Sequence, residues 1–407
     1  MAELCVRSFV MQSGERYCLI LDRETGVPLY APNLFLTTQI RNASLSFASM
    51  MSCAGHLVVL LRFLATHDID LALRIHTQQF LSGFEMDAFR DYCALTSVCD
   101  PAYPSEQKRA SWHCRAAVTT KTQHGRLTAA ARYIDWLGHQ QINHLRSDFS
   151  QLKACTNGLR SRRPKQKGRN NGLVDRAVDK DCIALLLNML TPNSQLNPFK
   201  PLVQDRNLLI IAIELELGIR GGELLNIRVE DLDFAKNTLR IIRRADQKDD
   251  PRSRQPLVKT QDRELPVSEK LMGEIHRYIV KERRNIPNVS KCPYLFVTAQ
   301  SGPTVGKPLS KSAYNKMWHT IQRLHPELKE LSGHRLRHTW NNNFSALMDQ
   351  QDPPVPEAKQ DQMRSYLQGW KPGSGTAATY NRRSIVKRAQ EASLELQRKA
   401  FKVVEDD

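Results

Sequence analysis

The chain is short of acidic residues, of regularly spaced cysteines and of long apolar runs, and each shortage removes a class of function. Its 407 residues carry 59 lysines and arginines against 42 aspartates and glutamates, a formal net charge of +17 with a pI near 9.6. Such a balance points to a polyanionic partner, nucleic acid first and an acidic membrane surface second. The nine cysteines include no repeated C-x-x-C pair, and the nearest two, Cys93 and Cys99, lack metal-ligand spacing. They read as buried or idle thiols of a reducing compartment, not as a disulfide framework. The opening Met-Ala-Glu-Leu-Cys-Val-Arg lacks the basic start and apolar core of a signal peptide. The most apolar runs, Leu57–Leu61 and Leu208–Ile213, fall far short of a membrane span. The expectation is a soluble, cytoplasmic protein with no membrane partner. Its length allows two or three ordinary domains.

Organisation follows from shifts in texture. Residues 1–44 mix apolar and polar positions around turn formers, with a candidate strand at Tyr17–Leu21, and read as a β-containing arm packed on the next domain. Residues 45–158 look helical, with candidate helices around Leu57–Leu64, Phe84–Tyr92 and Thr119–Leu137, enough for a four- or five-helix bundle. Residues 159–178 hold Arg160, Arg162, Arg163, Lys165, Lys167 and Arg169 among Pro, Gly and Asn, with few apolar residues. That composition predicts an extended basic linker able to follow a phosphate backbone. From 179 to 407 helices return at Cys182–Leu190 and Asn207–Leu217, the latter stopped by Gly218 as a left-handed cap. Strands are expected at Thr238–Ile242, Arg263–Val267 and Tyr294–Val297, and helices at Leu271–Arg284, Ser310–Leu324 and Ser384–Phe401. The fold class is therefore mainly α with a small antiparallel β-sheet.

The stretch richest in chemistry opens with Ser332-Gly-His-Arg-Leu-Arg-His338. As a helix it places Leu336, Trp340, Phe344 and Leu347 on one apolar stripe and His334, Arg337 and His338 on an adjacent face. Such a cluster by itself is commonly a solvated or locally paired helix face. The His334/His338 spacing also suits a metal, but a His-Glu-x-x-His hydrolase requires Glu where Arg335 stands, and Arg337 would repel a dication. A second motif lies far upstream: Gly218-Ile-Arg220-Gly-Gly-Glu223, with Arg220 projecting from the turn and Glu223 close enough to orient it.

Taken with Leu367-Gln-Gly-Trp370 and Tyr380, these motifs resemble, in order and spacing, the catalytic domain of the tyrosine recombinases, the phage-type integrases. The resemblance spans roughly 179–383; Trp370 stands where the family carries either His or Trp. It implies a C-shaped clamp on double-stranded DNA, made of a helical core-binding domain and an α+β catalytic domain. It also implies attack by Tyr380 to give a 3′-phosphotyrosyl link and a free 5′-hydroxyl, without metal or cofactor.

The chemistry fits what a phosphodiester needs. Its transition state gathers negative charge on non-bridging oxygens, which planar, permanently charged guanidinium groups match bidentately, so Arg220 and Arg337 are the expected clamp. His334 can take or give a proton, with His338 supporting, and Trp370 offers one N–H and a packing surface. Tyr380, with a phenol pKa ordinarily about 10, needs such cationic surroundings to attack. The family's leaving-group acid is a hairpin lysine, for which Lys248 and Lys259 stand in the right region. Lys248 is flanked by acids that hold its proton, so Lys259 is favoured. A homo-tetramer on two DNA sites, with accessory DNA-bending or directionality factors, completes what the resemblance implies. A type IB topoisomerase or telomere resolvase, and a non-catalytic DNA-binding regulator on the same fold, are the alternatives.

Overall fold

The computed structural model describes residues 3–96, 117–142, 149–165, 177–371, 389–390 and 392–397, and the chain divides into two compact units, Met1–Arg169 and Asn170–Asp407.

The first unit begins with an antiparallel hairpin, β1 (Leu4–Val10) and β2 (Arg16–Asp22), in register from Leu4 opposite Asp22 to Val10 opposite Arg16. The expected strand at Tyr17–Leu21 lies inside β2, and β1 is its unforeseen partner. Leu4, Tyr17, Cys18 and Ile20 enter the same core as the helices that follow, so this lead-in is part of the unit and not a body of its own. Those helices are α1 (Tyr30–Phe35), α2 (Phe47–Thr66), α3 (Leu71–His76), α4 (Gly83–Ala94), α5 (Thr120–Gln141) and α6 (Ser150–Ser161). Side chains cap them where the sequence supplies Ser, Asp or Thr: Ser46, Asp70 and Thr119 each accept from a first-turn N–H, and Ser82 forms a reciprocal capping box with Glu85.

The apolar character of α2 is wider than the run Leu57–Leu61 indicates. Over 20 residues this helix is long and apolar enough to cross a membrane by length and composition. In this fold Met50, Ala54, Leu57–Leu60, Phe63 and Leu64 are instead inside the unit's core. Phe63 is fully buried there, its ring 5.0 Å from Phe89 and 5.5 Å from Tyr92.

The second unit opens with α7 (Lys180–Met189) and α8 (Pro201–Leu217), the latter started by proline and ended by Gly218 at φ 61°, ψ 19°. The short α9 (Gly221–Leu224) follows at once, then a three-stranded antiparallel sheet of β3 (Leu232–Asp233), β4 (Thr238–Ile241) and β5 (Arg263–Pro266). Helices α10 (Glu269–Arg277), α11 (Lys311–Gln322), α12 (Gly333–Asp349) and α13 (Glu357–Gln368) complete it.

Three local expectations change. The helix foreseen to Arg284 is α-helical only to Arg277, then winds through a π turn, Tyr278–Glu282, and a 3-10 turn, Arg283–Asn285. Tyr294–Val297 is buried but is not a strand: it makes single bridges, Arg228 with Tyr294 and Val297 with Pro308, because its backbone pairs with irregular chain at Ile227 and Leu309. On α12, Leu336 and Phe344 are buried whereas Leu347 is 53% exposed; the row at four-residue spacing continues to Met348, which is buried in its place. Of the foreseen helix Ser384–Phe401, residues 389–390 and 392–397 are helical, and the rest lies outside the described residues.

Because Phe63 fills a site with no exposed atoms, Phe63→Ala should destabilise the first unit by about 3–5 kcal/mol. Chemical denaturation of residues 1–169 in the intact chain measures this; a loss below about 1 kcal/mol would contradict the described packing.

Candidate nucleic-acid cleavage site

The site is built on the turn between α8 and α9. Gly218 caps α8 in the left-handed region, and a Cβ added there would sit 2.7 Å from the Trp340 ring of α12, so both backbone conformation and space demand glycine. Arg220 then occupies the N-cap of α9, its N–H donating to Glu223 Oε2 at 3.1 Å and its Nη1 to Oε1 at 3.3 Å. The Arg220 side chain is one-third exposed while Glu223 is buried.

Glu223 is a junction. Its Oε2 receives Arg263 Nη2 at 2.9 Å, both side chains being 1% exposed, and its Oε1 receives the Thr260 hydroxyl at 2.7 Å. Burial pushes the Glu223 carboxyl up, but the charges of Arg263 and Arg337 and the hydrogen bonds from Arg263 and Thr260 outweigh it and hold the pKa below its ordinary value. Arg337, fully buried on α12, donates Nη1 to Gly218 O at 2.7 Å and lies 5.4 Å over the Trp370 ring, with Gln368 O at 3.5 Å from Nη2. Three guanidinium groups thus surround one carboxylate, leaving these four side chains with a positive excess.

The chain returning from the β4–β5 loop is fastened to the same place. Gln261 N–H donates to Gly369 O at 2.9 Å and Arg263 Nε to Leu367 O at 2.7 Å. Leu257 O would lie 3.2 Å from a Cβ on Gly222, and Thr260 holds Glu223, so the exposed Lys259 sits between two contacts with α9. Lys248 is also exposed, but its neighbour Asp249 is committed to Arg228 at 2.9 Å. The loop is far from loose: Asp250 and Arg252 form a buried ion pair at 2.8 Å, joined by the Tyr294 hydroxyl at 3.1 Å, and Arg252 Nη1 caps Leu225 O and Leu309 O, each at 3.0 Å.

Neither this pair nor the role of Arg263 is evident from the sequence. One signal was available for Arg263: β5 alternates inward and outward, and an arginine at an inward position needs a buried partner.

His334 is exposed and His338 half-buried, with ring centroids 4.6 Å apart and Nε2 atoms 3.2 Å apart, so one ring donates to the other. Trp370 is buried at the end of α13, its backbone N–H donating to Ser365 O. Arg337 does not share the outer face of the two histidines as the helical wheel suggests; it turns inward, because carbonyl oxygens and a carboxylate await its charge there. Tyr380 lies outside the described residues.

In the first unit the basic segment is less extended than its composition implies. Helix α6 runs through Arg160 to Ser161, and Arg162 makes paired contacts to Asp87 at 2.7 and 3.1 Å. Arg160 meets Asn157 at 3.2 Å, Arg163 donates to Arg160 O at 2.8 Å, and Lys165 is exposed. Lys167 and Arg169 lie outside the described residues. Among the described residues seven cysteines, including Cys18, Cys93 and Cys182, are free thiols, and burial raises Cys18 and Cys93 to about 12.

Residues 192–348, which contain the Arg220 turn, the sheet and most of α12, match the phage integrase family. Over that segment the chain is similar to the phage integrases, the tyrosine recombinases. Two solved structures share its fold. XerH site-specific recombinase bound to difH substrate has a TM-score of 0.51 at 12% identity, over 91% of this chain and 85% of that one. The Tn1549 transposon integrase in complex with transposon right end DNA has a TM-score of 0.50 at 13% identity, over 89% of this chain and 100% of that one. No curated protein matches the chain in sequence.

The Glu223 junction generates a pH prediction. Its folded pKa is depressed, so its contribution is present above the unfolded value of 4.5 and is lost as pH falls through the folded value. Glu223→Gln strands Arg263 without its counter-charge and should cost the second unit about 3–5 kcal/mol at pH 7. Acid titration of stability in both proteins measures this, and the variant should lose less on acidification; equal acid sensitivity would assign the stabilisation elsewhere.

Proposed function

We propose that this site-specific recombinase cleaves and rejoins double-stranded DNA through a 3′-phosphotyrosyl intermediate, with Tyr380 as nucleophile. The observation that carries the proposal is the cluster around Glu223, in which Arg220, Arg263 and Arg337 outnumber the one carboxylate. A scissile phosphate supplies the missing negative charge, and its affinity for the site rises as charge develops in the transition state. Arg220, partly exposed, donates to one non-bridging oxygen, and Arg337, held rigid by the Gly218 carbonyl and stacked over Trp370, donates to the other. His334 accepts the phenolic proton or donates to the phosphate, and His338 fixes its tautomer.

Attack by the Tyr380 oxygen forms the P–O bond to the protein and breaks the bond to the 5′ oxygen, which takes a proton from Lys259. The ester retains the bond energy, so rejoining by the freed 5′-hydroxyl needs no nucleotide cofactor and no metal. In this proposal Arg160, Arg162, Arg163, Lys165, Lys167 and Arg169 contribute to the DNA-backbone contact, Arg162 least because Asp87 already neutralises it. Four protomers act on two attachment sites, integrating or excising a mobile element, with accessory DNA-bending or directionality factors as further partners.

Tyr380→Phe should abolish covalent protein–DNA adducts on denaturing gels while duplex affinity stays near wild type, since phosphate contacts dominate binding. Adduct formation by that variant would place the nucleophile elsewhere. Excess EDTA should leave cleavage and rejoining unchanged; strict dependence on Mg²⁺ or Zn²⁺ would overturn the metal-free mechanism. Lys259→Ala should slow cleavage about 100- to 10,000-fold on ordinary DNA and recover on DNA with sulfur at the 5′ bridging position, because a thiolate departs unprotonated. Rescue of Lys248→Ala and not of Lys259→Ala would reverse the assignment.

A further inference from the structure

Beneath the arginine turn lies a polar pair that the proposed chemistry does not use. Glu214, on the last turn of α8, has a side chain with no exposed surface. Its Oε1 accepts from the Tyr314 hydroxyl of α11 at 2.5 Å, while Oε2 has no hydrogen-bond partner among the described residues. The pair presses on two backbones at once. A Cβ added to Gly221, the residue after Arg220, would lie 2.7 Å from Tyr314 Oη. A Cβ added to Gly333, the residue before His334, would overlap Tyr314 Oη and both Glu214 oxygens. Both glycines are therefore required by space, and the atoms that fill the space are a carboxyl and a phenol.

An isolated buried carboxylate is expensive, and among the described residues no cation offsets this one. Burial raises the Glu214 carboxyl to about 8, the Tyr314 hydrogen bond working the other way. Tyr314 is pushed well above 10 by burial and then by the charge and hydrogen bond of Glu214, so it remains a neutral donor. Tyr314 is the titratable group that meets the carboxyl; Gly221 and Gly333, facing the pair from α9 and α12, bring none.

We propose that Glu214 and Tyr314 are positioning residues: an uncharged acid–phenol wedge that sets the separation of the Arg220 and His334 turns and loses that hold when the acid ionises. Resting on the recombinase reading of the site, the inference makes alkaline pH a conformational brake on strand cleavage. It also explains a polar wedge where an apolar one would fill the volume, since only the acid responds to pH.

The test compares wild type with Glu214→Gln, which keeps shape and neutrality, in single-turnover adduct formation on saturating DNA. The ratio of the two rates cancels every titration the proteins share, including those of Tyr380, His334 and Lys259. It should be near unity at pH 7, with wild type falling behind by about tenfold at pH 9, where an acid of pKa about 8 is mostly ionised. A ratio flat from pH 7 to pH 9 overturns the inference. Tyr314→Phe removes the hydrogen bond that lowers the Glu214 pKa, so its alkaline fall should begin at higher pH; an unmoved fall also overturns it.

Melting curves read the wedge without chemistry and so separate its failure from that of the recombinase reading. The folded pKa lies above the unfolded value of 4.5, so stability is full below 4.5 and is lost as pH rises to about 8. Glu214→Gln should accordingly melt above wild type at pH 8, the gap closing toward pH 4.5. An equal gap at both pH values contradicts a proton on Glu214. Absence of any adduct from wild type, with the melting gap as expected, would remove the catalytic reading and leave the acid wedge standing.

Discussion

A single buried carboxylate, that of Glu223, holds the site together. It meets Arg220 of its own turn, Arg263 of β5 and Thr260 of the loop that returns to β5, and it feels the charge of Arg337 on α12. Elements far apart in sequence are thereby referred to one point. A buried ion pair gives little net stability once desolvation is counted, yet breaking one is costly because the survivor is stranded. That asymmetry suits a site whose arginines must stay in place before DNA arrives, since an arginine already fixed loses little freedom on meeting phosphate.

How the charges are layered matters as much as their number. Arg220 and Lys259 lie near the surface, whereas Arg337 is buried against Gly218 O and the Trp370 ring. A guanidinium in a low-dielectric setting acts more strongly on an approaching anion than one in water. The sheet and α13 contribute little chemistry of their own; they hold the loop and the Trp370 turn against this layer through Gln261 and Arg263.

Much of this is legible in the sequence, and for identifiable reasons. Gly218 announces its left-handed cap because a helix stop before an arginine leaves few other roles for a glycine. Apolar spacing locates α5, α8 and α12, and strand chemistry locates β4 and β5. The hairpin partner β1 escapes notice because only Leu4 of its seven residues is buried and its pattern has no clean alternation. Arg337 looks like a surface residue on a helical wheel; only tertiary contacts turn it inward. The Asp250–Arg252–Tyr294 staple is invisible because its partners come from a polar loop and a buried irregular segment. A wheel or a propensity records the neighbours along a chain, not those across it.

The bonds from Gln261 and Arg263 to Gly369 and Leu367 have a mechanical meaning. The turn that ends α13 is where the chain departs toward Tyr380, and it is bolted to the strand that begins just beyond Lys259. In the proposed chemistry, the segment leading to the nucleophile and the loop bearing the acid share one anchoring point, although more than a hundred residues of chain separate Lys259 from Tyr380. A pull on the segment beyond Trp370 reaches the lysine loop through the Gln261–Gly369 backbone hydrogen bond and the buried Arg263 side chain. The proposed bond making and bond breaking at the phosphate thus share a common anchor.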